Sequence, residues 1–290
     1  MRFGVEYTFL KPNAGWRRLE LVADTMVRKG FKRAHVDAGA VEVPSPPHLT
    51  LDEAKRFFDR LGAAAGLNGL KTHYVRYRGN EEIHEGTGGG HVHVELPIDR
   101  KIKTKTLYHL VHFFGNRPWL NWVFNEFGDD INANFILTHC YDIRKYWQNA
   151  IDEATHLSTY LTREYETISG DLFYNGGIRL GNHNQTIEFR VFDAPKNWKQ
   201  AEDHIKFALA VVNQAVKRAK RNQKYETPKN YLMLLVPVNG ERFDFRREFS
   251  TTDAVEHEFK ATVKSLGLSW SRYKPYLKNF KERLAHGKLV

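Results

Sequence analysis

The run Gly86-Thr-Gly-Gly-Gly-His-Val-His-Val-Glu-Leu96 sets four glycines within five residues ahead of a strictly alternating segment. A period of two is the mark of a strand with one face buried. Val92, Val94 and Leu96 fall on one side, His91, His93 and Glu95 on the other. The apolar side belongs to a core, which leaves the His-Glu side to a cleft or to solvent. The glycines read as a flexible turn whose backbone can approach a ligand closely. Same-face neighbours on a strand lie roughly 6.5–7 Å apart, whereas donors to one ion sit about 2.0–2.2 Å from it. His91 and His93 thus converge through their side chains on one ion, or serve different ions or a phosphate. An exposed polar strand face is the plainer alternative.

Working outward, Phe3–Phe9, Thr72–Tyr77 and Thr186–Phe192 are rich in β-branched and aromatic residues and read as further strands. Thr50-Leu-Asp-Glu53 is a capping box opening a helix over Leu51–Leu61, which Gly62 helps to end. Thr106–Phe114 and Pro118–Phe127 read as helices, the second with Pro in its first turn. Asn197 caps a long amphipathic helix reaching about Asn222. The polar stretch Tyr225–Asn230 reads as a linker, followed by two helices near Asp253–Leu266 and Trp270–Ala285. Strands and helices show no regular alternation. The fold class expected is therefore α+β: a largely antiparallel sheet with flanking helices over 1–224, and a helical, basic extension over 225–290.

Charge follows the same division. Residues 1–198 carry 25 Lys and Arg against 24 Asp and Glu, whereas residues 199–290 carry 19 against 10, so nearly all of the net +10 lies in the last third. That region admits nucleic acid as a partner, although an excess spread over several helices is more often a solvated surface. Lys217-Arg-Ala-Lys-Arg221 ends a helix, where cations favour the dipole without any nucleic acid. No apolar run is long enough to span a bilayer and no signal pattern opens the chain, so neither membrane nor export is expected. The single cysteine, Cys140, excludes an intrachain disulfide, fits a reducing cytoplasm and reads as a packed residue rather than a nucleophile.

Three other carboxylates join the candidate site. In Thr186-Ile-Glu-Phe-Arg-Val-Phe192, Glu188 and Arg190 share one strand face. Arg179 and Asn182-His-Asn-Gln185 precede them in a hairpin connection full of hydrogen-bonding groups, and Arg suits bidentate phosphate or carboxylate contact. Glu6 sits among apolar neighbours on the first strand, and Glu42 between two valines before Pro44. Were these strands neighbours, the carboxylates would repel unless protonated or neutralised by a cation. Oxygen donors with one or two imidazoles suit Mg²⁺ or Mn²⁺. Asn116–Trp119 and Asn132–Asn134 read as caps and turns. His35, His73, His84, His109, His112 and His139 read as scattered singles, and Trp119, Trp122, Phe124 and Phe127 as core.

Gly-x-Glu near the start, Glu-Val-Pro-Ser-Pro-Pro, Gly-Gly-His-Val-His-Val and Ile-Glu-Phe-Arg-Val-Phe, in that order over about residues 3–194, resemble the amidoligase family. That family belongs to the carboxylate–amine ligase superfamily, with glutamine synthetase and glutamate–cysteine ligase. The resemblance implies a glutamine-synthetase-like catalytic domain with a curved sheet and a cytoplasmic ATP-dependent carbon–nitrogen ligase. Glu6, Glu42, His91 and Glu188 would hold Mg²⁺ or Mn²⁺, with His91 and the backbone of Gly88, Gly89 and Gly90 beside the nucleotide. His93, Arg190 and Arg179 would act on the transferring phosphate or the substrate carboxylate. Substrates would be a small-molecule or peptide carboxylate and an amine; an oligomer and a bacterial or phage origin are compatible. Relatives often carry a second acid two residues after the first, where this chain has Thr8. A Walker loop is absent, which suits a nucleotide site of another kind. Two other classes fit the same residues: a metal-dependent hydrolase using His-x-His with carboxylates, and a nucleic-acid-associated protein binding through the basic last third.

Overall fold

Phe3–Phe9 (β1) alternates buried and half-buried residues along its whole length, as a strand with one core face must. The structure, a computed structural model, describes residues 1–11, 14–37, 39–78, 81–117, 119–124, 178–180, 185–226 and 252–285. By their contacts the residues form two units, Met1–Val94 with Phe192–Ile205, and Glu95–Val191 with Lys206–Val290.

In the first unit, β1 is flanked by His35–Asp37 (β2), Ala40–Pro44 (β3) and Gly90–Glu95 (β6) in the order β2-β3-β1-β6, antiparallel at every step. Phe3, Val5, Tyr7, Phe9, Val41, Val43, Val92 and Val94 are all buried. Full burial of such a side chain contributes about 1.5–3 kcal/mol. Trp16–Arg28 (α1) lies against β2 and β3, and Leu51–Leu67 (α2) against β1. α1 was not among the expected helices: Gly15 at its start supplies no side-chain cap, and it buries Leu19, Ala23 and Met26 at helical spacing. The capping box of α2 is formed: Glu53 N donates to Thr50 Oγ1 and Thr50 N donates to Glu53 Oε2, both at 3.2 Å.

The helix does not stop at Gly62, however. Ala63-Ala-Ala65 is too strong a helix-forming run to end there, and the turn comes at Gly69, whose φ of +62° suits glycine. His73–Arg78 (β4) and Glu81–Thr87 (β5) form a separate antiparallel pair. The turn expected over Gly86–Gly90 is narrowed to Gly88 and Gly89 between the strands, with Gly86 in β5 and Gly90 opening β6.

The second unit is mainly helical. Arg100–Gly115 (α3) starts six residues before the expected Thr106, because Asp99 Oδ1 accepts from Ile102 N at 2.7 Å and caps a lysine-rich first turn with no apolar period to betray it. Leu120–Val123 (α4) is the described part of the helix expected over Pro118–Phe127. Ile178–Leu180 (β7) and Thr186–Phe189 (β8) pair antiparallel. Trp198–Lys220 (α5) begins in the first unit at Asn197, whose Oδ1 accepts from Gln200 N at 3.0 Å, and continues through the second. The two last helices are Thr252–Ser265 (α6) and Trp270–Ala285 (α7). Phe124 gathers Phe207, Tyr276 and Phe259 around it at ring-centroid distances of 4.7, 5.2 and 5.8 Å, so it is core, as is Trp119.

The stretch read as a linker opens with anchored residues. The Tyr225 ring stacks on His112 at 5.1 Å, and Glu226 pairs with Arg117 and Arg218. Cys140, Asn132–Asn134, Asn182–Asn184, Phe127 and His139 lie outside the described residues. Among the described residues no helix is long and apolar enough to cross a membrane.

Candidate functional site

Glu6 stands directly opposite His91 across the β1–β6 pair, and Thr8 directly opposite Glu42 across the β1–β3 pair. Residues opposite one another on paired strands share a face. Because β1 buries Val5, Tyr7 and Phe9, its other face carries Glu6 and Thr8, and the register adds Glu42, His91 and, opposite Gly4, His93. Four of the sequence-named residues are thereby brought together in the first unit.

The contacts within this face are specific. His91 Nδ1 lies 3.2 Å from Glu6 Oε1. With Glu6 ionised, Nδ1 is the donor, and in the neutral ring Nε2 then carries the lone pair. A carboxylate on one ring nitrogen fixes the tautomer and orientation of the imidazole. Thr8 Oγ1 donates to Glu42 Oε1 at 3.2 Å, so the residue standing where relatives often have an acid orients the carboxylate next to it. Burial pushes the pKa of Glu42 up, and the charge of Glu6 pushes it further, while His91 and His35 pull it back. The two carboxylates therefore share a field that a divalent cation would relieve. His35, read from the sequence as a scattered single, faces Glu42 from β2 with Nε2 3.6 Å from Oε2. Its signal was a strand of only three residues, too short to show alternation.

The glycines ahead of His91 have a physical reason of their own. A Cβ on Gly88 would fall 2.7 Å from the carbonyl carbon of Thr8 and nearer still to its oxygen. One on Gly90 would fall 2.9 Å from the carbonyl carbon of Asp193, and one on Gly89 2.7 Å from His91 Nε2. Gly88 N donates to Thr72 O, Thr8 N to Gly89 O, and Gly90 N to Phe192 O, at 2.8–2.9 Å. Close approach is required here, and it is approach to the protein's own backbone and to the His91 ring.

In the second unit, Arg190 Nη1 donates to Glu188 Oε1 at 2.7 Å, with Glu188 4% and Arg190 8% exposed. The shared face expected for this pair is therefore buried rather than solvated, and the guanidinium is held by a charge-assisted bond. Arg179 pairs with Glu188 in the β7–β8 register.

As chemistry, carboxylates and imidazoles on one face are the donor types that a hard divalent cation such as Mg²⁺ or Mn²⁺ takes, and within the first unit Glu6 and His93 offer donor atoms within 4.8 Å of each other. In donor type the residues present fit such an ion.

No family model matches the chain, and no curated protein matches it. Among solved structures it is similar to ligand-free GmaS, at 13% identity and a TM-score of 0.46, covering 100% of this chain and 69% of that one. It is also similar to a complex of the prokaryotic ubiquitin-like protein Pup with its ligase PafA, at 11% identity and a TM-score of 0.34. There the alignment covers 99% of this chain and 65% of the other, so the chain spans less than two thirds of that protein. Both TM-scores are under 0.5.

Proposed function

We propose that the polar face of β3, β1 and β6 binds a divalent cation and that the protein is an ATP-dependent carboxylate–amine ligase. One observation carries the site: Glu6, Glu42 and His91 occupy one face of three adjacent strands, with His91 oriented by Glu6 and Glu42 oriented by Thr8. The four ordered motifs that resemble the amidoligases supply the reaction class. Glu6, Glu42 and His91 would hold Mg²⁺ or Mn²⁺, and the resemblance adds Glu188 as a further ligand. The bound metal would screen the phosphate charge of ATP.

In this reading a substrate carboxylate oxygen attacks the γ-phosphorus of ATP, ADP leaves, and an acyl phosphate forms. An amine nitrogen then attacks the acyl carbon, inorganic phosphate leaves, and the amide is released. The protein's part is placement of positive charge where negative charge accumulates. Arg190 is already held rigid by Glu188, as a charge-placing group should be. Arg190 and Arg179 would meet the transferred phosphoryl group or the substrate carboxylate, and His93 would line the same face as His91.

Calorimetry with Mn²⁺ alone, then with ATP or ADP in millimolar Mg²⁺, tests both parts. Wild type should bind each, and Glu42→Gln, His91→Ala and Glu188→Gln should each weaken Mn²⁺ binding about tenfold or more. No nucleotide binding by wild type would end the ligase reading. Metal binding unchanged in Glu42→Gln and His91→Ala would end the site assignment, whatever the reaction.

A further inference from the structure

The opposite face of β1 carries a feature that the proposed reaction does not use. Tyr7 of β1, Phe58, Gly62 and Gly66 of α2, and Lys71 and Lys196 line a cavity of ≈ 370 Å³. That volume is at the lower end of the roughly 300–1,000 Å³ usual for small-molecule sites.

Three independent observations bear on it. Tyr7 is only 3% exposed, with its ring edge-on to Phe58 at 5.8 Å, and among the described residues its hydroxyl makes no hydrogen bond. The hydroxyl is not among the sealed polar atoms that lack a partner, so its oxygen reaches the open space of the cavity. Burial also pushes its pKa up, so the hydroxyl stays protonated and able to donate. Next, Gly62 and Gly66 lie one turn apart in the interior of α2, where glycine weakens a helix relative to alanine. Neither has the positive φ that would call for glycine, and a Cβ on either would meet nothing within 4 Å. Both are exposed and line the cavity, so a side chain on either would project into its open space. Last, the ionisable lining groups besides Tyr7 are two lysines, both exposed, and no carboxylate lines the space.

We propose that this cavity binds a small molecule with a short apolar body and an oxyanion head, carboxylate or phosphate. The body lies along Phe58 and over Gly62 and Gly66, where missing side chains leave it room. The head meets the ammonium groups of Lys71 and Lys196, and the Tyr7 hydroxyl supplies a hydrogen bond. Two lysines favour an anion over a cation or a neutral alcohol, and without a planar guanidinium fork they do not distinguish carboxylate from phosphate. The site shares no residue with Glu6, Glu42, His91 or Glu188, so it stands or falls separately from the ligase reading.

Titration of the full chain with octanoate, octyl phosphate, octanol and octylamine, without metal or nucleotide, tests it. Binding is followed by calorimetry and by the indole N–H signal of Trp198, whose ring packs on Phe58 at 5.9 Å; Trp198→Phe assigns that signal. Either oxyanion should bind at submillimolar concentration, at least tenfold tighter than octylamine, and the tighter of the two identifies the head group. Gly66→Leu, which fills the space, should weaken oxyanion binding at least tenfold. Lys71→Gln with Lys196→Gln should reduce it to the level of octanol. The proposal is overturned if neither oxyanion binds below millimolar concentration or if octylamine binds as tightly. Unchanged binding in Gly66→Leu with a wild-type circular dichroism spectrum overturns it too. Should Gly66→Leu fail to fold, the exposed-lysine double variant decides, and undiminished binding there is likewise fatal.

Discussion

Placing a single methyl group on Gly88 tests how the site is built. In Gly88→Ala the new Cβ would fall 2.7 Å from the Thr8 carbonyl carbon, inside the 3.0 Å that such contacts essentially never breach, and nearer still to the oxygen. The obstacle is backbone on both sides, so no side chain can rotate away. Relief requires β1 and the lead into β6 to separate, and the bond from Thr8 N to Gly89 O, 2.9 Å long, lies across that gap. Overpacking of this kind costs about 1–3 kcal/mol and a buried backbone bond left unmade about 1–3 kcal/mol more. The expected loss is therefore about 2–6 kcal/mol, a large part of the roughly 5–15 kcal/mol that holds a typical domain. Urea unfolding followed by circular dichroism measures it. Because the same displacement disturbs the Glu6–His91 register, Mn²⁺ binding should weaken in parallel. A variant within about 0.5 kcal/mol of wild type would refute the packing argument. Normal stability with lost nucleotide binding would return Gly88 to the role of a ligand-approach glycine.

The same substitution on α2 should have the opposite sign. Gly62→Ala and Gly66→Ala add a Cβ that meets nothing within 4 Å, so each should stabilise by about 0.4–1 kcal/mol, read as a raised urea midpoint with an unchanged slope; a loss would show that the space is not open. In the second unit, Glu226 accepts at 2.7 Å from both Arg117 and Arg218. Burial pushes its pKa up, but the charges and hydrogen bonds of the two arginines outweigh that and hold it below the ordinary glutamate range. A depressed folded pKa gives stability that is complete above the unfolded value of about 4.3 and fades as pH falls through the folded one. Glu226→Gln should then cost about 1–3 kcal/mol at pH 7 and progressively less below about pH 4. A difference that stays constant through acid would contradict the pairing.

Sequence and structure divide the description of this protein along a physical line. Alternation and propensity are local, so β1, β6, β8 and the caps at Thr50 and Asn197 were legible in the chain. The polar faces of His91 with His93 and of Glu188 with Arg190 came from the same period of two. What is not local was not legible. That His91 faces Glu6 and Glu42 faces Thr8 depends on strand order and register, which the hydrophobic pattern constrains but does not name. The glycines looked like freedom and are in fact constraint, because the atoms that forbid a Cβ at Gly88 belong to Thr8, eighty residues earlier. His35 and α3's first turn lacked a periodic signal, and Gly62 looked like a stop although the alanines after it carry the helix on. Composition and local pattern are enough to pick out the residue types that could carry metal and phosphate chemistry. Which of them meet is a property of the folded chain, since side-chain convergence across strands is fixed by pairing and packing between residues far apart in the sequence.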